Sequence, residues 1–218
     1  MKIVNDYRLW RDDSAFENII DKKTEFLNTY ISENRKMTVY NIINNKSNHE
    51  YTGFETIYSN RCAYCGKIMF YALEEGAEID HFDPNKKAIE NTLTKKDQLL
   101  NLIYSCKSCN QGKKYILKNN ATVGELLIKM NPDTNIRNVF YRDEHFGIQI
   151  EDNYKNDELV TTFYKKIKFN NIIVKFDYMI IILDYIILHS NNQEKIKKYK
   201  LLIDEIRKAI KRIKYNNN

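Results

Sequence analysis

All four cysteines of the chain fall into two pairs, Cys62-Ala63-Tyr64-Cys65 and Cys106-Lys107-Ser108-Cys109. Two residues between thiolates let one turn present both sulfurs to a single ion, and two such turns complete a tetrahedron around Zn²⁺. The paired spacing is a strong metal signal. A redox site or two coincidental thiol couples is the alternative. Gly66 follows the first pair, where the turn calls for a positive φ. A structural zinc should contribute about 10 kcal/mol to folding, so chelation is expected to unfold this region.

Between the pairs lies Ile79-Asp80-His81-Phe82-Asp83-Pro84, then Asn101-Leu102; Asn110 and Lys113 follow the last cysteine. These residue types suit hydrolysis of a phosphodiester, which needs a base for water and a cation for the charge that builds on phosphate and leaving oxygen. His81 is the natural base, because an unperturbed imidazole is largely neutral near pH 7. Asp80 offers a hard anionic oxygen to Mg²⁺ and Asn110 a neutral one, leaving positions open for water and phosphate. Lys113, one turn past Asn110, is within reach of a phosphate as a point charge. Taken singly, each has a plain structural reading: a satisfied histidine, a turn-capping Asp, helix-capping Asn. His49, His145 and His189 lack comparable company and read as structural.

The ordered set C62-x-x-C65, D80-H81-F82-x-P84, N101-L102 and C106-x-x-C109-N110-x-x-K113 resembles the HNH, or ββα-metal, endonuclease family, over about a quarter of the chain. The resemblance implies that Asp80 and Asn110 hold a catalytic Mg²⁺ or Mn²⁺, that His81 is the general base, and that Asn101 orients the loop around the base. It also implies cleavage of DNA, with RNA as the other candidate, to 5′-phosphate and 3′-hydroxyl ends. The layout is similar to small HNH effectors of bacterial anti-phage systems of the Septu and retron-associated kind, which act beside an ATPase subunit. A zinc-dependent nucleic-acid binding module, or a scaffold subunit without catalysis, is the competing class.

Certain elements must position these groups. Neighbours in a strand face opposite sides, so Asp80 and His81 share a site only where the strand ends or twists, and Pro84 supports a break. The second cysteine pair should open a helix on which Cys106, Cys109, Asn110 and Lys113 recur at steps of three and four. The expected fold class is α+β: a ββα-metal HNH core with its four-cysteine zinc site over 56–118, a helical segment over 1–55, and a hairpin plus helices over 119–218. Ala15, Phe16, Ile19, Ile20, Phe26, Leu27, Tyr30 and Ile31 recur at helical spacing. Val139–Tyr141 and Phe146–Ile150 read as a hairpin, followed by a helix capped by Asn156 that turns Leu159, Val160, Phe163, Tyr164 and Ile167 inward. Ile196, Tyr199, Ile203, Ile206, Ile210 and Ile213 form a seam for packing against an apolar helix over 172–188, or for dimerisation.

The bulk numbers bound the rest. The 218 residues, 43% hydrophobic and 29% charged, suit a folded protein with one real core. The start, MKIVNDYRLWRDD, lacks a secretory core, so a cytoplasmic location with reduced thiols is expected. The stretch 172–188 carries Lys175, Asp177 and Asp184, each costing roughly 2.5–3.5 kcal/mol in mid-bilayer, which argues against a membrane span. The whole net charge of +6 resides in 192–218, with nine basic and three acidic residues. That tail is either a nucleic-acid grip or a solvated helix face. The segment 83–97, with Lys86, Lys87, Lys95 and Lys96, reads as a loop that either approaches the nucleic-acid backbone or is simply solvated.

Overall fold

A computed structural model describes residues 6–10, 13–32, 34, 36–69, 76–117 and 123–216. Three helices lead: α1 (Ile19–Tyr30), α2 (Val39–Ile43) and α3 (His49–Ile57). The centre comprises β1 (Ala77–His81), α4 (Pro84–Ala88), α5 (Lys95–Leu100), β2 (Leu102–Cys106) and α6 (Lys107–Leu117). Then come α7 (Val123–Met130), a hairpin of β3 (Phe140–Arg142) and β4 (Ile148–Ile150), α8 (Glu158–Lys166), α9 (Ile172–Leu188) and α10 (Gln193–Asn216). The mixed architecture expected of the sequence is therefore present, with helices dominant and two small antiparallel sheets among the described residues. The boundary expected at residue 118 lies outside the described residues.

β1 and β2 pair antiparallel from Ala77↔Cys106 to His81↔Leu102. β2 is buried at every position and runs straight into α6, so the sheet delivers Cys106 to the start of that helix. One core unites residues from Tyr7 to Phe169. In it, Phe140 packs edge-on to Phe169 at 5.1 Å between ring centroids and stacks on Phe163 at 6.1 Å.

The N-terminal segment fixes the first cysteine turn. Arg8 is fully buried; its Nη1 donates to the Ala63 carbonyl at 2.6 Å and to the Pro132 carbonyl at 2.8 Å. Asp6 neutralises it at 2.7 Å, and the Tyr7 hydroxyl donates to the Tyr64 carbonyl. Gly66 has φ +76°, as its turn requires, and a Cβ there would lie 2.5 Å from the Arg8 carbonyl. From the other side, buried Lys23 on α1 donates to the Leu102 carbonyl and to Asp133, both at 2.6 Å.

Several expectations shift. α1 begins only at Ile19, so Ala15 and Phe16 are buried from a turn, while Ile20 and Tyr30 face outward. The hairpin is shorter than expected, with Tyr141↔Gln149 at its middle. Asp157, one residue later than expected, caps α8, its side chain accepting from the Val160 amide at 3.1 Å. Segment 83–97 is not a loop: Asp83 caps α4, whose first residue is Pro84, and Thr94 caps α5. Lys95 is buried with its ammonium on the Met37 carbonyl, so it does not reach outward to nucleic acid.

α9 and α10 form an antiparallel pair with a small core of their own, Ile180 and Leu183 against Ile203, Ile206 and Ile210. The expected seam thus packs within the chain. Among the described residues, no helix is long and apolar enough to cross a membrane.

Candidate active site and metal centres

The four cysteine sulfurs lie within 4.8 Å of one another and all four thiols are unpaired. Sulfurs at tetrahedral corners around zinc, each about 2.3 Å from the ion, stand roughly 3.8 Å apart, which lies within that limit. The Cys109 amide points at the Cys106 sulfur at 3.5 Å, as a turn presenting both sulfurs to one ion requires. The cluster is compatible with a zinc site, and it ties the start of α6 to the turn held by Arg8.

A cavity of about 330 Å³ is lined by Tyr40, Asp80, His81, Pro84, Lys87, Asn110, Lys113 and Lys114, among others. It gathers Asp80, His81, Asn110 and Lys113 on one space. Asp80 and His81 do turn to different partners, as alternation demands. Asp80 meets α6 and the first cysteine turn; His81 meets α2 and the short turn Glu90–Thr92. Both border one cavity because β1 ends at His81 and the chain turns away into α4.

The Asp80 carboxylate accepts from the Tyr64 hydroxyl at 2.8 Å and from the Lys113 ammonium at 2.7 Å. Burial raises the Asp80 pKa, against the opposing pull of Lys113. Burial likewise lowers that of Lys113, against Asp80. The Lys113 Nζ also donates to the carbonyls of His81 at 2.6 Å and Phe82 at 3.2 Å. Its outward reach to a phosphate, expected from sequence, gives way to this internal role, because all three of its donors are committed. The cations that remain on the cavity wall are Lys87 and Lys114.

Asn110 is buried, and its Nδ2 donates to Glu78 at 2.6 Å. A carboxylate only accepts, so the amide nitrogen must face Glu78. The Asn110 Oδ1 is then left buried without a partner, which costs on the order of 1–3 kcal/mol unless something outside the chain satisfies it. An orphaned amide oxygen on a residue that lines a cavity together with a buried carboxylate fits a hard divalent ion. Lys113 marks the place where Asp80 already demands a cation.

His81 is buried, its Nε2 3.1 Å from Glu90 Oε1 and its ring 4.5 Å from that of Tyr40. Burial lowers its pKa, with the Glu90 carboxylate pulling the other way. Asn101 clamps the turn that follows. Its Oδ1 accepts from the Asp83 amide at 2.8 Å, its Nδ2 donates to the Asp83 carbonyl at 3.0 Å, and its own carbonyl receives the Phe82 amide at 2.8 Å. Sequence reasoning missed Tyr40, Tyr64, Glu78 and Glu90. None has motif spacing; only Tyr64, enclosed by the first cysteine pair, had a positional hint.

Residues 62–115 match the family model of the HNH endonuclease. The match places an HNH domain over roughly a quarter of the chain, and with it nuclease chemistry and a nucleic-acid substrate at the level of the family. No curated protein and no solved structure matches the chain.

Proposed function

We propose that the protein is a metal-dependent HNH endonuclease that hydrolyses DNA phosphodiester bonds, built on a ββα-metal core of β1, β2 and α6 over 56–118. The observation that carries this is the convergence of Asp80, His81 and Asn110, whose buried Oδ1 lacks a partner, on one cavity in a domain that also holds a four-cysteine cluster. Asp80 and Asn110 would hold Mg²⁺ or Mn²⁺; when bound, the ion neutralises charge on the phosphate and leaving oxygen. The His81 imidazole takes a proton from the attacking water. Asn101 holds the turn behind it. Lys87 and Lys114 draw the phosphate into the cavity. Cys62, Cys65, Cys106 and Cys109 hold zinc and fix α6, and so Asn110. We further place the chain in the cytoplasm as an effector of anti-phage defence beside an ATPase subunit. The size, motif position and helical flanks support that role.

Plasmid nicking with Mg²⁺ tests the reading. His81→Ala should lower the rate by about 10²–10⁴-fold, as loss of a general base does. Equal cutting by both forms would remove His81 from that role. One observation favours the competing reading of a binding module without catalysis: Lys113 and Tyr64 already satisfy the Asp80 carboxylate. A wild-type protein that binds DNA yet never cuts with either metal would select that reading.

A further inference from the structure

Glu90 belongs to none of the motif positions that carry the HNH resemblance; it sits between Pro84 and Asn101, in the turn Glu90–Thr92. Its carboxylate nevertheless meets His81 Nε2 at 3.1 Å, and the two side chains are only 13% and 7% exposed. A pair so covered is unlike a solvated surface contact, where side-chain entropy and screening leave little net attraction. The imidazole is held from a second direction by Tyr40, whose ring lies 4.5 Å away at a 40° tilt.

The chemistry of the pair fixes where the proton sits. An ionised carboxylate is an acceptor only. A neutral imidazole beside it therefore carries its hydrogen on Nε2 and keeps the lone pair on Nδ1. The Nδ1 atom makes no hydrogen bond to any described residue, so it is the ring nitrogen free to act.

We infer that Glu90 is the positioning residue of His81: it selects the Nε2–H tautomer, makes Nδ1 the base nitrogen, and stabilises the imidazolium formed when Nδ1 takes the water's proton. This deepens the nuclease reading and rests on it for the meaning of the base. In the step itself the water O–H bond breaks and an Nδ1–H bond forms. The hydroxide so released supplies the electron pair to phosphorus, and the P–O bond to the leaving oxygen breaks with its electron pair going to that oxygen, which takes a proton from solvent to become the hydroxyl end. Glu90 keeps its charge throughout and only accepts a hydrogen bond, as the third member of a hydrolytic triad does.

The test uses the full, zinc-loaded chain with ¹⁵N-labelled histidine, in mildly alkaline buffer where imidazoles are neutral. Two-bond proton–nitrogen spectra show which ring nitrogen is protonated. The His81 signal is the one of four that vanishes in His81→Asn. It is expected as the Nε2–H form in wild type and as a mixture in both Glu90→Ala and Glu90→Gln. Zinc content should be unchanged in both variants. In plasmid nicking the same variants should lose roughly 10- to 100-fold in kcat, the scale for removing a group that orients a site histidine, with KM little altered. A wild-type His81 protonated on Nδ1, or a tautomer ratio that neither substitution moves, overturns the assignment. If wild type shows no nuclease activity, the nuclease reading fails while the spectra still decide whether Glu90 sets the tautomer.

Discussion

At the scale of single residues, the site is a set of pairs whose members constrain one another. Asp80 and Lys113 are 3% and 1% exposed, and burial pushes the pKa of each toward neutrality. Their attraction must offset two desolvation costs. Removing one partner strands the other charge, whereas removing both leaves only a gap to fill. Lys113→Met should therefore destabilise the fold by about 3–5 kcal/mol in urea unfolding, and Asp80→Asn with Lys113→Met should recover a large part of that loss. A single substitution costing under roughly 1 kcal/mol, the value of a surface pair, would show that the pair is wetter than the geometry says. Sequence spacing placed Lys113 near Asn110, but not in the grip of Asp80, because that contact joins positions 33 apart across two elements. Glu90 escaped notice for a related reason: it reaches His81 from the turn between α4 and α5, where no motif spacing marks it.

At the scale of elements, α6 carries the most. It begins at the second cysteine pair, presents Asn110 and Lys113 to the cavity, and packs on α8 at Gly112. A Cβ on Gly112 would lie 2.5 Å from the Lys166 carbonyl and 3.0 Å from the Ile167 Cα. Both are backbone atoms that cannot swing away. Gly112→Ala should thus cost roughly 1–3 kcal/mol through overpacking, and it should depress nicking by displacing Asn110. Gly124 on α7 is the control, with nothing within 4 Å of its would-be Cβ, so Gly124→Ala should stabilise by up to about 1 kcal/mol through helix propensity. Thermal unfolding of the two variants checks the contrast; equal effects would refute the close approach. Much of the element layer was legible in advance. The α9–α10 seam and the helix after Cys106 follow from periodicity and cysteine spacing. The short helices α4 and α5 were legible too, since Asp83-Pro84 is a cap followed by a first-turn proline. Thr94 and Asp97 also form a reciprocal cap, the Thr94 hydroxyl accepting from the Asp97 amide at 3.1 Å and donating to its carboxylate at 2.7 Å. The clamp of Arg8 on the first cysteine turn was not legible, because no local pattern ties residues 55 positions apart.

At the scale of the whole molecule, the candidate site and the excess positive charge are separated. The cavity lies in the large core, with Arg8, Lys23 and the cysteines bracing it. The net positive charge lies on the last helix, beyond that core. α10 buries Ile203, Ile206 and Ile210 against α9 and leaves Lys197, Lys198, Lys200, Lys208, Lys211 and Arg212 exposed. Basic groups that neutralise phosphates release counterions, so affinity for DNA falls with salt at a slope of about 0.9 per phosphate engaged. If this helix supplies the grip, replacing those six residues with Gln should leave the α9–α10 seam and the zinc content intact while flattening the salt dependence of DNA binding by as many units of slope as phosphates lost. Nicking of a short duplex at saturating concentration should hardly change, because none of the six lines the cavity. A slope that stays as steep after the substitutions would move the grip to the walls around Lys87 and Lys114. It would also leave the basic side of the last helix as a solvated face.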